Sequence, residues 1–177
     1  MIVLRGRKVV GGRAEGEALV THMTVPGWGG VNAVKGIITE TRHDLRGVSF
    51  AGKVLVFRGA KGSSGWSAMY HTTRLAGTAP AALVFNEMTT KVALGAVVMR
   101  VPSVTDFDRD PLDVIETGDW VIVDADCGIV EVRKKAQGSR LKAWMTEGLM
   151  RKTLLAWLMA LVTSPAVAQT LAMATKK

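Results

Sequence analysis

Two short runs, KVLVF (53–57) and AALVF (81–85), are apolar at almost every position, and the segment between them carries a glycine-rich stretch followed by helical spacing. A strand that does not alternate is buried on both faces of its sheet, so two such strands joined through a helix specify a β–α–β crossover. In the linking segment WSAMYHTTRLAG, Ala68, Thr72 and Leu75 fall on one helical face, Arg74 stands near the end, and Gly77 takes the position after the C-cap. The rest of the body reads mainly as strand: IVLRGRKVV (2–10) and EALV (17–20) around a Gly11-Gly12 turn, then GIIT (36–39) after the loop PGWGGVN (26–32). Further on, TTKVALGAVV (89–98) reads as a short helix running into a strand, and WVIVDA (120–125) with GIVEV (128–132) as a hairpin around Asp126 and Cys127. The expected fold class is α+β, a barrel-like or layered β core carrying one or two helices.

Charge divides the chain in two. From Met1 to Val132 fourteen Lys and Arg are matched by fourteen Asp and Glu, whereas from Arg133 to Lys177 nine basic residues face Glu147 alone. The body therefore has no basic stripe of the kind that tracks phosphates, and nucleic acid is excluded as its partner. The C-terminal part contains Arg151-Lys152, the apolar run LLAWLMALV (154–162) and the small-x-small site Ala166-Val167-Ala168, the three regions of a secretory signal in their usual order. Its apolar run is too short to span a bilayer, which needs about 20 residues. We therefore expect a domain over 1–133 and a helical or disordered tail over 134–177, read either as run-on into a signal-peptide-like segment or as a helix that packs on a partner. MIVLRGRKVV is too short and too charged for an export signal, and one cysteine, Cys127, suits a reducing compartment, so a cytoplasmic body without a membrane partner is expected.

The stretch KGSSG (61–65) lies where a buried strand turns into a helix. Such a corner presents free N–H groups and the positive end of the helix dipole, which suits an anion, and Lys61 adds a cation. No Gly-Lys-Ser/Thr closes the turn and no G-x-G-x-x-G occurs, so it is not a phosphate loop. The alternative is a tight turn in which Ser63 or Ser64 caps the helix.

Taken in order, GGRAEGEALV (11–20), WGGVN (28–32), LRGVSFAGKVLVF (45–57), KGSSGWS (61–67), LAGTAPAALVFNE (75–87), ALGAVV (93–98) and DFDRDPLDVIETGDWVIVDADCGIVEV (106–132) resemble the small subunit, or swivel domain, of the aconitase X family. The resemblance runs from about Gly6 to Val132 and stops before the tail. It implies a swivelling β/β/α domain that works with an iron–sulfur large subunit as a hydro-lyase removing water from a hydroxy acid. It also implies that Ser63, in the Gly-Ser-Ser turn, is the base that takes the substrate's α proton. Gly62, Ser64 and Gly65 would supply N–H donors to the alkoxide, and Lys61 would hold a substrate carboxylate or help ionise Ser63. Lys61 stands where many relatives carry arginine, and Arg58-Gly59-Ala60 replaces proline- and serine-containing versions. These departures leave the reaction class alone and bear on the substrate; the variant is more similar to the bacterial two-subunit branch of the family, which implies cis-3-hydroxy-L-proline as substrate, with phosphomevalonate as the alternative. A cluster needs several cysteines and this chain offers one, so its ligands are expected from the large subunit, and this chain alone is expected to be inactive.

Other residues keep two readings each. His71, His43 and His22 are packed or solvated residues, or, for His71 and His43, the mobile histidine of a phosphohistidine carrier, the function that swivelling domains of another class perform. Trp28, Asn32 and Trp66 line a partner interface or substrate cleft, or serve the core and turns. Glu87 caps the helix beginning near Thr89 or points into the site. The acidic run DFDRDPLD (106–113) is a solvated turn around Pro111.

Overall fold

The computed structural model describes residues 1–135. The helical or disordered tail expected over 134–177 thus lies outside the described residues except for Lys134 and Lys135. Strands β1 (Ile2–Arg5), β2 (Arg7–Val10), β3 (Arg13–Thr21), β6 (Val54–Phe57), β7 (Ala82–Phe85), β8 (Ser103–Thr105), β9 (Trp120–Asp124) and β10 (Ile129–Arg133) form one sheet, in the order β1-β10-β9-β3-β6-β7-β8-β2. A small hairpin, β4 (Val31–Asn32) with β5 (Ile37–Ile38), stands apart from it. The helices are α1 (Gly65–Leu75), α2 (Thr90–Met99) and the one-turn α3 (Pro111–Val114). No helix among the described residues is long and apolar enough to cross a membrane.

The two ends of the sheet order, β1 and β2, are separated in the chain only by Gly6, so the sheet curls until its edges meet there and forms a nearly closed barrel. The expected single strand over 2–10 is therefore two. At the break the Gly6 amide donates to the Gly128 carbonyl at 2.8 Å. A Cβ on Gly6 would stand 2.7 Å from the Thr105 carbonyl oxygen, so only glycine lets the strands approach this closely.

The crossover is present: β6 and β7 pair in parallel, Val54 opposite Ala82 through Phe57 opposite Phe85, with α1 between them in sequence. Both strands are buried throughout because they serve two cores. Leu55, Phe57, Leu83 and Phe85 join Trp66, Tyr70, Val92 and Met99 of the helices, while Val54, Val56, Ala82 and Val84 fill the barrel interior with Leu4, Val121, Val123 and Val130. The period-2 alternation of a strand thus persists, but each face meets apolar partners.

Two local expectations change, and the face expected on α1 gains its direction. Ala68, Thr72 and Leu75 share a face of α1, but it is the outer one, with Leu75 73% exposed. The larger aromatic surface of Trp66 and Tyr70, with Thr73, takes the inner face. The segment at 89–98 is helical to Met99, and the strand after it begins only at Ser103. Around Pro111 the chain forms α3 with Pro111 and Leu112 buried, its start capped by the Asp110 carboxylate accepting from the Leu112 amide at 2.8 Å. Gly77 follows the C-cap as expected: with φ +72°, it donates to the Arg74 carbonyl while Thr78 donates to that of Thr73, the two bonds of a Schellman motif.

At the C-terminal end, buried Asp119 accepts from the Glu116 and Lys135 amides, each at 2.9 Å, and from Lys134 Nζ at 3.0 Å. Burial by itself would raise its carboxyl pKa, but these donors prevail and hold it below the ordinary 3.8. The body is therefore tied down as far as Lys135.

Candidate functional site

The C-terminal ends of the parallel strands β3, β6 and β7 lie at one end of the barrel, the usual place for a site in such a sheet. Beyond β6 the chain runs through Arg58 to Lys61 into the turn 62–64 and then α1. The segment before the 26–30 loop is stitched to it: Val25 N–H donates to the Gly59 carbonyl at 2.8 Å, and Lys61 N–H donates to the Val25 carbonyl at 3.0 Å. The same Val25 carbonyl accepts the Trp66 indole N–H at 3.1 Å. One carbonyl thus fixes the start of α1 and the strand exit against the neighbouring loop.

Between these walls lies a cleft of about 540 Å³, lined by the 26–30 loop, Glu40, Lys61, Gly62 and Ser63. Ser63 is exposed, and among the described residues its Oγ has one hydrogen bond, accepted from the Gly65 amide at 3.4 Å. Neither serine hydroxyl reaches an amide beyond the first residue of α1: Ser63 Oγ accepts only from Gly65, and Ser64 occupies the N-cap in helical geometry with no side-chain bond. Ser64 contributes its carbonyl instead, accepting from the Ser67 amide at 3.2 Å and the Ser67 hydroxyl at 2.9 Å. The amides of Gly62, Ser63 and Ser64 donate no hydrogen bond among the described residues. The corner therefore offers a hydroxyl held by one long bond, unspent N–H groups and a helix N-terminus at one open cleft, the combination that stabilises negative charge.

The structure thus brings together Ser63, Lys61, Gly62, Ser64 and Gly65, and adds two residues that the sequence did not single out. Glu40 lines the cleft and its Oε1 pairs with Lys61 Nζ, so the ammonium is held beside the turn by a carboxylate from 21 residues away. Its other oxygen, Oε2, is buried without a partner among the described residues. Lys91 of α2 donates to the Gly62 carbonyl. Nothing in the local pattern ITETRHD signals Glu40. A lysine in the first turn of a helix, where it opposes the dipole, is the one available cue to Lys91.

The other candidates fall elsewhere. Trp66 is 1% exposed and stacks on Tyr70 with ring centroids 4.0 Å apart, so it belongs to the core and not to a cleft or interface. Trp28, by contrast, is 77% exposed on the cleft's rim. Asn32 serves a turn, its Oδ1 accepting from the Lys35 amide at 3.0 Å. Glu87 pairs with Arg58 at 2.6 Å and lines a separate cavity with His22, Asn86 and Asp110. Thr89 is the N-cap of α2 without any side-chain bond, so Glu87 stands outside both roles considered for it. His71 is half-buried on α1, and His43 is in a loop but only 4% exposed, so neither stands at the exposed loop tip that a phosphohistidine carrier requires.

His43 has a structural part. Its Nδ1 accepts from the Leu45 amide at 3.1 Å, and burial lowers its pKa below the ordinary 6.5, although Asp44 and Glu40 pull it up. The folded chain binds this proton more weakly than the unfolded chain. The contribution of His43 to stability is therefore complete above pH 6.5 and lost as pH falls below it. His43→Asn keeps an acceptor two residues before Leu45 and cannot titrate. Urea unfolding from pH about 7 to about 5 is expected to show a shallower loss for this variant than for the parent, and parallel curves would remove the assignment.

No group of three or more His, Cys, Asp or Glu among the described residues is placed to hold a metal ion. Cys127 is exposed in the turn between β9 and β10. That turn follows Asp124, which pairs with Arg13 at the start of β3, while the Ser63 turn follows Phe57, which pairs with Thr21 at its end. The length of β3 separates the two by roughly 25 Å. The described residues do not fit an iron–sulfur cluster.

A family profile described as the aconitase X swivel domain matches residues 3–132. The chain is 43% identical over 129 residues to the phosphomevalonate dehydratase small subunit of Thermococcus gammatolerans, covering 73% of this chain and 96% of that one. It is 40% identical over 126 residues to the phosphomevalonate dehydratase small subunit of Archaeoglobus fulgidus, covering 71% and 95%. The crystal structure of Thermococcus kodakaraensis aconitase X in its holo-form superposes with a TM-score of 0.71 at 40% identity, over 76% of this chain and all of that one. With the profile spanning nearly the whole described body, and the barrel, crossover and serine turn in place within it, the chain belongs to the aconitase X swivel-domain family.

Proposed function

We propose that this chain is the small subunit of a phosphomevalonate dehydratase and supplies Ser63 as the proton acceptor to an active site completed by a large subunit. The observation that carries the reading is the exposed, uncommitted Ser63 hydroxyl at the lip of an open cleft, where a second chain can cover it. In the reaction, Ser63 as alkoxide removes the proton on the carbon next to the substrate carboxylate. The C–H electron pair forms the C=C bond as the neighbouring C–O bond breaks, and the hydroxyl departs as water on taking a proton from an acid that the reading assigns to the large subunit. Ser63 keeps the proton removed from carbon. The N–H groups of Gly62, Ser64 and Gly65 lower the energy of the alkoxide, and Lys61 attracts the substrate's negative charge. The reading assigns the iron–sulfur cluster and the leaving-group half of the reaction to the large subunit, and this chain carries no step through it.

The Thermococcus gammatolerans and Archaeoglobus fulgidus relatives are phosphomevalonate dehydratase small subunits, which supports phosphomevalonate over the hydroxyproline expected from likeness to the bacterial branch. One observation favours the second reading: Glu40 lines the cleft beside Lys61, so the wall offers a carboxylate to an ammonium as well as a cation to a carboxylate. A zwitterionic amino acid such as cis-3-hydroxy-L-proline suits that pair, whereas phosphomevalonate has no cation to meet Glu40. The test is anaerobic co-expression with the large subunit of the same genome and assay of both compounds. Turnover of phosphomevalonate alone is the expected result, turnover of hydroxyproline alone would transfer the assignment, and an assembled complex inert to both would overturn it.

A further inference from the structure

The group that orients the serine turn comes from another helix. Lys91 is the second residue of α2, where a cation opposes the dipole, and the first turn holds no acidic residue to offset it. Its Nζ donates to the Gly62 carbonyl at 2.6 Å, across 29 residues of sequence. Gly95, one turn further along the same face, brings α2 close enough, because its bare Cα lies against the Trp66 ring of α1. Gly62 itself has φ +93°, and a Cβ there would meet nothing within 4 Å, so neither ordinary backbone preference nor side-chain packing around that position holds the turn. The Gly62–Ser63 peptide is trans and planar, so a carbonyl drawn to Lys91 turns the Ser63 N–H the opposite way, away from α2. The ammonium also polarises that peptide and makes its N–H a stronger donor.

Building on the dehydratase reading above, we infer that Lys91 is a positioning residue of the reaction. It fixes the Gly62–Ser63 peptide so that the Ser63 amide meets the negative charge that develops in the cleft. Lys91 acts through the peptide and touches neither substrate nor the Ser63 hydroxyl.

The experiment uses the full-length chain assembled with its large subunit, with Lys91→Met, Lys91→Arg and Ser63→Ala compared. Lys91→Met is expected to lower kcat roughly 10-fold or more with KM changed by less than about threefold, and Lys91→Arg to restore most of the loss. In the ¹⁵N-labelled full-length chain, Lys91→Met should shift the amide signals of residues 62–64 while the melting temperature stays within about 2 °C. Lys91→Gln replaces it if the methionine variant fails to fold. If Ser63→Ala is inactive but Lys91→Met keeps kcat, the inference fails while the dehydratase reading stands. If Ser63→Ala keeps full activity, the base assignment fails instead, and unshifted signals at 62–64 then dispose of the Lys91 contact as well.

Discussion

Ser63→Ala is expected to lower kcat of the assembled enzyme by at least about 100-fold, or roughly 2.7 kcal/mol of transition-state stabilisation, with assembly and thermal stability intact. The two halves of this result have separate causes. Ser63 is exposed and among the described residues its Oγ has only the 3.4 Å hydrogen bond from the Gly65 amide, so removing it leaves no cavity and no buried orphan, and stability should move by less than about 0.5 kcal/mol. That contact is long for a neutral hydroxyl and is expected to tighten when the oxygen carries charge. Activity falls because no other group in the cleft replaces the hydroxyl: Glu40 and Lys61 pair with each other, and His43 is buried and engaged with the Leu45 amide. Steady-state kinetics together with a melting curve of the same preparation check both halves. A variant that retains a tenth or more of wild-type kcat would remove Ser63 from the role of base.

What could be read in the sequence follows from how locally each feature is encoded. KVLVF and AALVF announce a doubly covered parallel pair because their apolar character does not alternate, and Gly77 announces the end of α1 because a left-handed residue is required there. Gly6 gives no such notice. It stands among Arg5, Arg7 and Lys8 inside a run that reads as one strand, and the need for glycine comes from Thr105 and Gly128, close in space but remote in the chain. The helix face was legible as a period but not in its direction, since Ala68, Thr72 and Leu75 recur as regularly as Trp66, Tyr70 and Thr73, and only the volume of the aromatic pair decides which row turns inward. The site divides the same way. The residues at 61–65 are contiguous and stand out as a cluster, whereas Glu40 and Lys91 reach them across 21 and 29 residues, through contacts that exist only once the 26–30 loop and α2 have docked.

The second large effect concerns that docking. Trp66→Ala is expected to destabilise the full-length chain by about 3–5 kcal/mol, a large share of the 5–15 kcal/mol typical of a domain. The side chain is 1% exposed, its ring stacks on Tyr70, and its indole N–H satisfies the Val25 carbonyl that also holds Lys61. Alanine leaves a cavity between α1 and α2 and loosens the wall of the cleft. The size of that gap has an independent check in Gly95, where an added Cβ would stand 2.2 Å from the Trp66 ring. Gly95→Ala alone should therefore cost about 1–3 kcal/mol by overpacking. In the Trp66→Ala background the ring is gone and the new methyl occupies part of the vacated space, so the same substitution should cost close to nothing. A urea-denaturation cycle of the four proteins should return a coupling of at least about 1 kcal/mol. Costs that add to within about 0.5 kcal/mol would mean that α2 does not rest on Trp66, and the route by which Lys91 reaches the serine turn would have to be redrawn.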